Sequence, residues 1–134
     1  MAYEETLRAI TLDADSTIGI YTGPPGVVGS ASPNYGKQYH FVKVTGSHTA
    51  GLAGAGEDAV GVLQNKPQQT GTGATVAIAG ISMVFAGTNG LSAGDEVECD
   101  ANGQGVTQTA GVSLGVAIED AAAGELCPVL LRMN

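Results

Sequence analysis

The side chains able to do chemistry are few and scattered. His40 and His48 stand eight residues apart across an expected bend, with no acid or nucleophile spaced to complete a triad. Cys99 and Cys127 are the only cysteines and form no Cys-x-x-Cys pair, so with the two histidines they make no zinc spacing. Buried small hydrophobes are the simplest reading of both, with a disulfide as the alternative. Paired acids occur at Glu4-Glu5, Asp13/Asp15, Glu57-Asp58, Asp95-Glu96 and Glu119-Asp120. A glycosidase pair is defined by spatial separation, but few aromatic platforms accompany these acids. Asp13 and Asp15 lack a surrounding calcium loop, so solvated turn acids are the expected reading. Gly-x-Ser-x-Gly, His-Glu-x-x-His and a phosphate-binding loop with its lysine are missing. The glycine-rich stretch 51–56 opens no helix. Neither a catalytic residue nor a cofactor or metal site is expected, and the reading is of a protein that is not an enzyme.

Charge narrows the partners. Five Lys plus Arg against 13 Asp plus Glu leave a net charge of −8, which repels a phosphate backbone or an anionic membrane. No direct nucleic-acid or membrane role is expected, and a basic partner surface would be steered in. No basic, apolar leader opens the sequence, and the longest apolar run, about 74–87, is interrupted and shorter than a bilayer span. Synthesis in the cytoplasm as a soluble protein is the expectation.

The 134 residues suit one domain, and the core is light: two Phe, four Tyr and no Trp, with 21 Gly. Glycine inside strands would cost roughly 0.5–1 kcal/mol each relative to alanine, so these residues belong in turns or beside packing supplied by neighbouring chains. No long 3.6-residue stripe is present. Short alternating segments separated by Gly and Asn turns predict an all-β fold, a small barrel or sandwich of short antiparallel strands. Strands are expected at 38–44, 59–63, 75–79, 82–86, 95–99, 106–109, 113–118 and 125–133. Gly80 should bend or bulge the chain between two of them. Asn102-Gly103 fits a type I′ hairpin, and Pro128 argues for an edge strand or bulge. Thr17–Thr22 reads as a short extended piece. Gly46–Gly56 reads as a turn-rich return.

Residues 1–16 are expected to form an extended N-terminal arm, and 17–134 a single β domain with a Gly/Pro loop at 23–37. Period-two alternation from Thr6 to Leu12 suits an edge strand added to another sheet, so Leu7, Ile10 and Leu12 are candidate interface residues. An echo links Val60-Gly61-Val62 with Leu114-Gly115-Val116, 54 residues later, each followed by a turn and a second apolar strand. Two similar β layers would produce it.

The string Glu57-Asp58-Ala59-Val60-Gly61-Val62-Leu63-Gln64-Asn65-Lys66-Pro67 resembles the capsid cement, or head decoration, proteins of tailed bacteriophages. The similarity continues through Gln38–Lys43, Ala93–Val97, Asp100–Gly103, Leu114–Ala117 and the apolar C-terminal strand. The Ala14-Asp15 pair also resembles the end of that family's N-terminal stretch. A departure is the insertion of Ser16–Lys37 before the Tyr/Phe-Val-Lys strand. The resemblance implies a β-rich domain, commonly a homotrimer, on the outer surface of the capsid in the virion. There it would bind and bridge the major capsid protein, without turnover and without a cofactor. Candidate contacts are then Tyr21 and Tyr35 of the inserted region and the Gln64, Asn65, Lys66 and Pro67 turn. The alternative is a carbohydrate-binding β module of a virion or secreted protein, with Tyr21, Tyr35 and Tyr39 as its aromatic cluster.

Overall fold

The structure, a computed structural model, describes residues 7–19, 37–67 and 69–132. They form a mostly antiparallel sheet of nine strands and, among the described residues, no helix. The strands are β1 (Arg8–Ala14), β2 (Phe41–Gly46), β3 (Thr49–Leu52), β4 (Gly61–Leu63), β5 (Gly73–Phe85), β6 (Glu96–Cys99), β7 (Gly105–Thr107), β8 (Gly115–Ala117) and β9 (Leu126–Arg132).

The pairing pattern occurs twice. In the first half β2 pairs antiparallel with β3 and β4, and β4 with β5. In the second half β6 pairs antiparallel with β7 and β8, and β8 with β9. Strand β1 lies antiparallel on the first part of β5, and its Ala14 runs parallel to Ala50 of β3. The second part of β5 plays the same role for the second half: it lies antiparallel on β9, and Ala86 bridges Gly105 in parallel. The hydrogen bonds coincide in detail. Ala14 N donates to Thr72 O (2.9 Å) and Ala14 O accepts from Gly71 N (2.8 Å), while Ala86 N donates to Glu125 O and Ala86 O accepts from Gly124 N, both at 2.8 Å. The long β5 strand is therefore shared, and each half is a closed circuit of pairings.

Two glycines explain the sequence echo. A Cβ at Gly61 would sit on the Ala77 carbonyl oxygen, and one at Gly115 on the Leu130 carbonyl oxygen. Both halves need the same close approach of strands, and only glycine permits it. Each half also has its own apolar interior. Leu12, Ala14, Val42, Leu63 and Val76 are buried together in the first. Their counterparts Val84, Ala86, Val97, Ala117 and Val129 are buried in the second.

Several expectations are corrected. Gly73–Phe85 is one continuous strand, turned at Gly80 (φ 99°). The return 46–56 contains a strand, β3, too short and too glycine-rich to show a period. Of the piece expected to be extended at Thr17–Thr22, residues 17 and 18 lie in a turn, Gly19 N and Ile18 N both donating to Asp15 O, at 2.7 and 3.3 Å, and residues 20–22 lie outside the described residues, as do residues 23–36 of the expected Gly/Pro loop. At Asn102-Gly103 only Gly103 has positive φ (78°), so the turn is not type I′. The Asp100 carboxylate braces it, accepting from Asn102 N (2.8 Å) and Gln104 N (2.9 Å). Pro128 lies in β9, a central strand between β5 and β8. Its carbonyl accepts from Ile118 N (2.9 Å), one residue past the end of β8. Backbone N and O of a strand residue face the same neighbour, so the missing donor falls where the ladder ends. Within β9, Leu126 and Leu130 are 38% and 42% exposed. Cys99 and Cys127 are buried free thiols, as their first reading has it, and the disulfide alternative falls away.

Candidate functional site

Strand β1 decides what the N-terminal segment can offer. Its register on β5 runs from Arg8↔Ala79 to Asp13↔Gly73. The segment expected to reach a partner's sheet is thus paired with its own chain, because β5 supplies an unpaired edge next to it. Leu12 is buried in the first-half core, and Leu7 packs against the second-half cluster. Ile10, 37% exposed, is the most exposed of the three. Tyr21 and Tyr35 lie outside the described residues.

The Gln64–Pro67 turn joins β4 to β5 and is built by side-chain amides. Gln64 Nε2 donates to Ser82 Oγ (2.8 Å) and Val62 O (3.1 Å), and Gln64 O accepts from Gln38 Nε2 (2.7 Å). Asn65 Oδ1 accepts from Thr75 N (2.9 Å) and its Nδ2 donates to Gly73 O (2.8 Å), continuing the ladder where β4 has ended. Pro67 is buried and Lys66 exposed. Of the four, Lys66 alone presents its functional group outward.

Beside this turn the side chains of Tyr39 and His40 are set by a kink. Tyr39 adopts a left-handed conformation (φ 67°). His40 is buried with its ring 5.2 Å from that of Phe85, and Nδ1 lies 3.1 Å from Gln38 O. Burial holds the His40 pKa below its usual value, with Gln38 O pulling the other way. The neutral imidazole is therefore a packing group. His48 sits in the β2–β3 turn on the far side of the strand, so the two histidines serve different turns. Burial pushes the Cys99 thiol up to about 12 and raises that of Cys127, which suits inert core residues. Lys43 Nζ bonds the Glu57 carboxylate at 2.8 Å, holding Glu57 below the usual carboxylate range. Asp15 is consumed by its turn: it accepts from Thr17 N (2.8 Å) and Thr45 Oγ1 (2.8 Å). Among the described residues no three His, Cys, Asp or Glu side chains cluster as metal ligands.

What the geometry offers is thus braced turns and sheet faces. A family model described as "Phage cement protein" matches residues 36–133. The chain belongs to the phage cement protein family. It is a structural protein of the phage particle, and its role is cementing the head, not catalysis. No curated protein matches. The fold is similar to that of the N base of the head fiber gp8.5 in bacteriophage phi29, with a TM-score of 0.67 at 15% identity, over 96% of this chain and 97% of that one. At that identity the likeness concerns the fold alone. Neither comparison supports the carbohydrate-binding alternative. The matched segment begins at the last two residues of the inserted region, so β1 and residues 16–35 lie outside it.

Sequence reasoning named the Gln64–Pro67 turn but missed the kink at Tyr39-His40 and the exposed side of β9. The kink had no signal, because a tyrosine carries none of the usual marks of positive φ. The exposed leucines of β9 alternate with buried Cys127, Val129 and Leu131, and that alternation was legible.

Proposed function

We propose that this cement protein binds the outer surface of the assembled head as a homotrimer and bridges neighbouring copies of the major capsid protein. The family match over residues 36–133 carries the reading. Supporting it, the net charge of −8 sets the chain against packaged nucleic acid and in favour of a protein surface. Repeated copies on a lattice gain from multivalency, so modest individual contacts suffice. The candidate contacts are Lys66 and Ile10, with Tyr21 and Tyr35 of the inserted region. Gln64, Asn65 and Pro67 hold Lys66 in place, and Leu7 and Leu12 hold Ile10. Each closed circuit of strands serves as a small barrel, a stiff frame for such contacts.

The test is occupancy on heads stripped of the protein or assembled without it. Purified protein should decorate them, seen as added surface density by electron microscopy, and raise their resistance to heat. Removing β1 would unfold the first half, so the informative variants are deletion of residues 2–6 and Lys66→Glu. Heads that stay bare when mixed with folded wild-type protein would defeat the proposal.

A further inference from the structure

The two halves share a backbone pattern but not an outer surface, and the difference marks an interface. On the side of the sheet facing away from the second core, β5 and β9 present three matched pairs. They are Phe85 with Leu126, Met83 with Pro128 and Ile81 with Leu130. Val116 of β8 lies beside Leu130, and Ile118 follows at 41% exposure. The result is a continuous apolar sheet face three strands wide. In the first half the positions of Met83 and Pro128 are held by Thr11 and Thr75, and those of Phe85 and Leu126 by Asp13 and Gly73. The fold therefore tolerates polar residues at these places, and folding alone does not require the apolar ones.

The third row differs in another way. In the first half Phe41, Val62 and Ala77 are neighbours across the strands, and all three are buried inside the cluster they share with the second half. Of their counterparts, Glu96 and Val116 are only half-buried and Leu130 is 42% exposed. The row hidden inside the molecule in one half is open in the other. With Leu126, Leu130 and Ile118 exposed and Ile81, Met83, Val116 and Pro128 half-buried between them, the apolar face is of the kind that marks an association surface.

The charges point to the occupant. With 13 acids against five bases, most surfaces of this chain would repel a second copy. The three apolar rows carry no acid except Glu96 at their edge, which is paired with Arg132 at 3.2 Å. The ends of the face have opposite signs. Exposed Glu125 and the Glu119-Asp120 pair lie at the start of β9, and Arg132, with its side chain 57% exposed, at its finish. We propose that this face is where copies of the chain meet. The β9 strands run head to tail around a threefold axis with their apolar sides inward, and Arg132 of one copy lies against Glu125 of the next. A head-to-tail contact of this kind closes into a ring. The inference rests on the self-association in the reading above and assigns it a surface.

Sedimentation equilibrium on the full chain tests it, without heads present. Wild type should sediment as three copies. Leu130→Asp should weaken association at least about 30-fold, since it places a charge in a desolvated apolar contact. Ile118→Asp, beyond the end of β8 and harmless to the sheet, should do the same. Thr11→Asp, on the equivalent face of the first half, should leave association unchanged. Arg132→Glu should weaken it, and Glu125→Arg added to Arg132→Glu should restore it. A monomer or dimer for wild type would overturn the proposal, as would trimers that survive both aspartate variants or a charge swap that rescues nothing. Loss of head binding by a chain that still trimerises would count against the capsid reading and leave this one standing.

Discussion

The duplicated frame supplies a rescue experiment at Asn65. The Asn65 side chain satisfies Thr75 N, at 2.9 Å, and caps Gly73 O, at 2.8 Å. Thr75 is half-buried, whereas Gly73 is exposed and can take water instead. Asn65→Ala should therefore cost mainly the unpartnered Thr75 amide, about 2 kcal/mol. The second half solves the same problem differently. The residue equivalent to Thr75 is Pro128: Gln64 N donates to Thr75 O at 2.7 Å as Ile118 N donates to Pro128 O at 2.9 Å. Proline needs no partner because it has no N–H. Adding Thr75→Pro to Asn65→Ala should thus remove the orphaned donor. It should recover about 1 kcal/mol or more, helped by the lower entropy of the unfolded chain. The ladder to β1 is spared, since N and O of residue 75 both face β4. Urea unfolding monitored by circular dichroism reads all three chains. An Asn65→Ala change below about 0.5 kcal/mol, or a double variant less stable than Asn65→Ala, would refute the reasoning.

Gly61→Ala and Gly115→Ala should each destabilise by about 3 kcal/mol or more, because a Cβ at either place meets a backbone carbonyl that cannot step aside. Gly124→Ala, with open space around it and only its positive φ of 82° to offend, should cost about 1 kcal/mol in the same assay. Folding lowers the His40 pKa, so the unfolded chain binds the extra proton. The neutral-ring contribution is whole above the unfolded value, about 6.5, and drains away as pH falls from there toward the folded pKa. Unfolding free energies between pH 7.5 and 5.5 should fall for wild type and be flatter for His40→Gln; parallel curves would contradict this. With its thiol pushed up to about 12, Cys99 should resist iodoacetamide at pH 8 in the native protein and react readily in urea. Equal rates in the two states, followed by mass spectrometry, would show that the thiol is accessible.

The strands with a period or a flanking turn signal were legible: β4 to β9 lie within a few residues of where alternation and glycine place them. β3 was not, since Thr49-Ala50-Gly51-Leu52 has neither length nor bulk, and its strand exists because β1 and β2 flank it. The N-terminal segment reads as extended, with its apolar side laid on its own domain or on another subunit. Its alternation says that one side must be covered, and only the topology says that β5 of the same chain does the covering. Pro128 misled for a related reason. Proline excludes a donor on one side, and whether that side is an edge depends on where the neighbouring strand stops. The Gly61/Gly115 echo was legible because a steric demand recurs as the same residue. The outer faces diverged and left no echo.

That divergence separates two kinds of position. Where the halves agree, as at Gly61 and Gly115 or Gly71 (φ 90°) and Gly124 (φ 82°), the frame dictates the residue. Where they differ at a strained site, something other than the frame has chosen. Tyr39 and Gly94 are the clearest case. Tyr39 N donates to Leu63 O at 2.7 Å and Gly94 N to Ala117 O at 2.8 Å, and both have positive φ, 67° and 91°. Glycine pays nothing there, whereas a tyrosine costs about 1–2 kcal/mol. The family match includes Tyr39 and its neighbour His40, whose ring rests on Phe85 at the end of the apolar face. A strained aromatic beside that face, where the twin half makes do with glycine, is held for its side chain. Its cost is consistent with a surface that other subunits cover, where contact area gained on assembly offsets stability given up by the lone chain.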